Sequence, residues 1–78
     1  MKTTPERHKI CAEAARDAAE NLEAGARNPA LAAWARIHYA ALARLERLSQ
    51  AYHEEAAQLC EQGRPVPGWI DWLQARGI

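Results

Sequence analysis

Few side chains in this 78-residue chain have chemistry to offer: three histidines (His8, His38, His53), two cysteines (Cys11, Cys60), one serine (Ser49) and a few paired carboxylates. Zinc binding on a helix calls for histidines four residues apart, as in His-Glu-x-x-His, because that spacing turns both rings toward one ion. No two of these histidines have it. His53-Glu54-Glu55 puts candidate ligands next to each other in sequence, and a helix then points them to different sides. The cysteines lack metal-ligand spacing. The expectation is no metal and no cofactor. Nucleophilic catalysis needs a nucleophile, a base and an orienting group gathered in a pocket, whereas Ser49, Cys11 and Cys60 sit in Ala-rich, helix-forming sequence. The pairs Glu54/Glu55 and Glu13/Asp17 fall on solvated helix faces, where no burial shifts a carboxylate toward general acid–base work. A non-enzymatic protein is expected.

Binding chemistry is better represented. Trp69-x-x-Trp72-Leu73 is the strongest local signal, since Trp is enriched at the energetic centres of protein interfaces and two of them are a large apolar investment in so short a chain. They serve either the chain's own core or a partner. His38 falls within an apolar stripe, either at its edge with the polar tip in water, or as a polar specifier of helix pairing or a partner contact that responds to pH near neutrality. Arg36, Arg44 and Arg47 lie on one side of the same helix and could meet phosphates. They more simply form a solvated face with glutamate neighbours, and no short recognition helix follows a turn.

These side chains are carried by helices. Thr4-Pro5-Glu6 is a helix start: a capping hydroxyl, a proline suited to the first position and an acid at the positive end of the dipole. Ala, Glu and Arg then favour helix to about Ala26, with Cys11, Ala14, Ala15, Ala18, Leu22 and Gly25 on one narrow face of small side chains. Asn28-Pro29 breaks that helix and can cap the next. A second helix is expected from Pro29 to about Gln62, roughly 50 Å long. Trp34, Ile37, Ala41, Leu45, Leu48, Tyr52, Ala56 and Leu59 form its apolar stripe, in steps of three and four residues. Arg36, Arg44, Arg47, Glu54, Gln58 and Glu61 lie opposite. Gly63 ends this helix, and Pro65 and Pro67 stop it resuming. A short third helix over residues 68–76 should end with Gly77 in the left-handed position and Ile78 turned back on Leu73.

The expected architecture is all-α: one domain, residues 1–78, formed by an antiparallel hairpin with a long second helix and a short C-terminal third helix. A hairpin reversing near Asn28 places Cys11 opposite Leu45. Cys60 is then more than roughly 20 Å away along the helix, which argues against a disulfide. In that register the second helix outruns the first, leaving Leu48, Tyr52 and Leu59 to be covered by the third helix, a second chain or both. A chain this short builds a thin core, so a homodimer is expected.

Ten basic residues balance ten acidic ones, which argues against coating nucleic acid or an anionic membrane. No apolar run reaches the length of a membrane span, and the first residues lack the apolar core of a signal peptide, so a cytoplasmic location is expected. The layout is loosely similar to small phage-encoded inhibitors and to secretion co-chaperones built as helical hairpins. The function expected is protein–protein interaction, with self or a heterologous protein. It would inhibit, anti-activate or chaperone the partner through Trp69, Trp72, Leu73, Tyr52, Leu48, Leu59 and His38. The alternative is a dimeric nucleic-acid-binding regulator using Arg36, Arg44 and Arg47.

Overall fold

A computed structural model describes residues 4–78. Three α-helices follow in chain order: α1 (Pro5–Ala26), α2 (Ala33–Glu61) and α3 (Trp69–Ala75), with no strand among the described residues. α1 and α2 pack against each other as an antiparallel hairpin, and α3 folds back on α2.

The helix ends follow from local chemistry. Thr4 accepts a hydrogen bond from the Arg7 amide and Pro5 occupies the first helical position, as the sequence predicts. α2 begins four residues later than expected. The Asn28 side chain takes the Ala30 amide at 2.9 Å and its carbonyl takes that of Leu31. Asn28 therefore caps a tight turn in place of a helix. At the far end of α2, Gly63 is left-handed, and the amides of Gly63 and Arg64 return to the carbonyls of Cys60 and Leu59. α3 ends the same way: Gly77 is left-handed and the Ile78 amide reaches the Leu73 carbonyl. Both are Schellman endings.

The hairpin register differs from the expected one. His8 meets His53, Lys9 pairs with Glu61, Glu23 with Arg47, and Gly25 lies under the Tyr39 ring. The six-residue connection 27–32 moves the reversal point along the chain, so α1 runs beside α2 to its last turns and the expected overhang at Leu48–Leu59 does not exist. Cys11 is exposed and Cys60 half-buried, and the separation expected between them rested on the register that does not hold.

The packing face of α1 is also a correction. Cys11 and Ala14 are exposed, and the buried positions are His8, Ala12, Ala15 and Ala19. Their steps of four, three and four, continued by half-buried Leu22 and Ala26, are those of a helix seam. α2 meets this seam with Tyr39, Ala43, Gln50, His53 and Ala57. The fully buried apolar positions of the α1–α2 contact are alanines, which let the two backbones approach closely; Tyr39 and the His8–His53 pair fill the space beside them, and ion pairs border it. Among the described residues, the buried apolar side chains are six alanines and Trp72.

Candidate interaction surface

On a helical wheel of about 100° per residue, the apolar stripe of α2 lies opposite the seam with α1. The hairpin therefore turns its large side chains outward. Trp34 is 75% exposed, Ile37 70% and Leu45 57%, with Ala41 and Leu48 half-buried along the same line. The sequence identifies this stripe but does not say which side of α2 meets α1. The seam is instead occupied by alanines, because they allow the closer approach.

α3 covers the far end of the stripe. Trp69 and Trp72 stack nearly parallel, with centroids 5.6 Å apart. Both meet Tyr52 edge-on, at 5.4 and 5.5 Å, the arrangement favoured by ring quadrupoles. The Tyr52 hydroxyl donates to the Pro67 carbonyl at 2.7 Å, tying the connector to α2. Trp72 is 4% exposed. Its indole N–H donates to Glu55, which also receives Arg76 at 2.7 Å, while the Arg76 guanidinium lies 4.2 Å from the Trp72 ring. Those donors, Trp72 foremost, hold the Glu55 carboxyl below the usual carboxylate range. Burial raises the Tyr52 phenol.

The residues singled out in the sequence thus separate into groups. Trp69, Trp72 and Tyr52 pack on one another within the chain, and Leu48, Leu59 and Leu73 are half-buried. His38 is exposed beside Trp34 and Ile37 on the outer face. The three arginines are differently placed. Arg47 is committed to Glu23 through two hydrogen bonds, at 3.0 and 2.7 Å, and to Gln50 at 2.9 Å. Arg36 is half-buried with its Nε out of reach of an acceptor, and Arg44 is exposed.

One polar contact was not anticipated. His8, 6% exposed, joins its Nδ1 to that of His53 at 2.9 Å across the helix seam. Burial, followed by the neighbouring His8, lowers the His53 pKa. The signal in the sequence was His8 standing in register with Ala12, Ala15 and Ala19. Among the described residues, no group of three or more His, Cys, Asp or Glu side chains is placed to hold a metal ion. A shallow groove of about 550 Å³, floored by Ala40, Ala43 and Leu48 and edged by Ile78, runs between α1 and α2. No helix among the described residues is long and apolar enough to cross a membrane.

Fold and surface together define a small helical hairpin with a folded-back third helix and an open apolar flank. Comparison with protein-family models, curated proteins and solved structures returns no match for this chain.

Proposed function

We propose that the chain is a non-enzymatic protein–protein interaction module, acting in the cytoplasm, that binds and modulates another polypeptide through the outer face of α2. The observation that carries this reading is the exposure of Trp34, Ile37 and Leu45 on one continuous line. Isolated exposed apolar side chains are ordinary, whereas a contiguous row with a tryptophan is the composition of a binding face. A helix presenting anchors at steps of three and four suits a partner helix or groove. Its effect on the partner would be to cover a surface or to stabilise an incomplete fold.

The test is affinity capture from the native host with the intact protein, compared with Ile37→Glu and Leu45→Glu. Both positions are exposed in the single chain, so helicity by circular dichroism should be kept. Loss of the captured polypeptide with either variant, and its retention with Ala14→Glu on the exposed side of α1, supports the reading. Undiminished capture with both α2 variants would sink it.

A further inference from the structure

We infer that the outer face of α2 is closed by a second copy of this chain, packed antiparallel about a two-fold axis through Ala41. This rests on the reading of that face as a binding surface and names its occupant. The face reads the same from both ends: Trp34, Ile37, Ala41, Leu45 and Leu48 follow in steps of three, four, four and three. A two-fold axis perpendicular to the helix brings each residue before Ala41 opposite the residue equally far after it on the copy. Ile37 then meets Leu45, Trp34 meets Leu48, and Ala41 meets itself. Each of these meetings joins apolar to apolar. The smallest side chain stands where the two helices cross, which lets the backbones approach while the larger ones interdigitate on either side. The same axis sets His38 beside Arg44 at the rim.

Shape and area point the same way. The molecule measures 47 × 25 × 18 Å with a radius of gyration of 14.7 Å, against about 11.5 Å for a compact domain of this length. Its accessible surface is 5569 Å² for 8.7 kDa, roughly 800 Å² more than a compact monomer of that mass exposes. An ordinary stable interface buries about 800 Å² on each partner. Among the described residues the buried apolar side chains are alanines and one tryptophan, and a second copy would add the large-side-chain core that these do not form.

The experiment is sedimentation equilibrium of the intact chain from low to high micromolar concentration. A mass of twice 8.7 kDa is expected, reduced to the single-chain mass by Leu45→Glu and by Ile37→Glu with helicity kept. Register is read by mild oxidation in a Cys11→Ser background. Ala41→Cys should cross-link to itself. Trp34→Cys should cross-link to Leu48→Cys and not to itself. The inference is overturned by a single-chain mass throughout the range, by a dimer that both glutamate variants leave intact, or by self-cross-linking of Trp34→Cys. A single-chain mass would leave the binding-face reading standing, since that is judged by capture with the same variants.

Discussion

His8 and His53 share one hydrogen bond between two Nδ1 atoms, and such a bond needs one nitrogen with a proton and one without. A second proton turns donor and acceptor into two donors inside the seam. Burial lowers the folded-state pKa of His53, so as pH falls through about 6.5 the unfolded chain takes up a proton that the folded chain refuses. The stability due to this pair is complete above that pH and is lost below it, down to the depressed folded-state value. Thermal unfolding followed by circular dichroism should therefore show a midpoint that falls between pH 7.5 and pH 5, and His53→Gln should flatten that slope. An unchanged slope in the variant would assign the acid sensitivity elsewhere. Glu55, held low by Trp72 and Arg76, adds its loss only at more acidic pH, in and below the ordinary carboxylate range. Trp72 itself anchors α3. Trp72→Ala removes a nearly buried indole, at a cost of roughly 3–5 kcal/mol, and should abolish the near-ultraviolet signal of the aromatic cluster. Trp72→Phe should keep much of it.

At the scale of elements, the seam between α1 and α2 is built on closeness. Ala19 is completely buried, and a larger side chain there must push the helices apart. Ala19→Leu should destabilise by about 1–3 kcal/mol, while Ala14→Leu, on the exposed side of α1, should stay within about 0.5 kcal/mol. Urea unfolding at fixed protein concentration checks both, and equal effects would restore the packing face expected from sequence. At Gly25 an added Cβ would come within 3.1 Å of the Tyr39 ring, so any larger side chain there requires that ring to shift. The existence and order of the helices were legible because caps, prolines and glycines mark their ends. The bounds of α1 and the Schellman ending at Gly77 and Ile78 could be read to the residue, and Gly63 marked the end of α2 to within a residue. The start of α2 could not, since Asn28 is equally able to cap a helix or a tight turn. The face of α1 was obscured by alanines on every side, which leave its apolar periodicity weak. The side of α2 that meets α1 was not legible, because nothing local announces that the partner helix will choose the small side.

For the whole molecule, the decisive property is that three large apolar side chains of α2 lie largely outside the single-chain fold. Trp34, Ile37 and Leu45 are exposed, so replacing them removes little from the hairpin itself. A change there acts on whatever the face contacts. If the contact is a second copy, stability depends on mass action, and the thermal midpoint rises with protein concentration. Leu45→Glu should then lower the midpoint at high concentration and make it independent of concentration. At sufficient dilution the native chain should converge on the variant's midpoint, because both are then the same isolated hairpin with its third helix. Calorimetry across a wide dilution series measures this directly. A native midpoint that does not move with concentration, or a variant that stays less stable at every dilution, would place Leu45 inside the single-chain fold and remove the thermodynamic case for the dimer. Convergence would show the hairpin to be the structural unit and the outer face of α2 to be the place where that unit is completed.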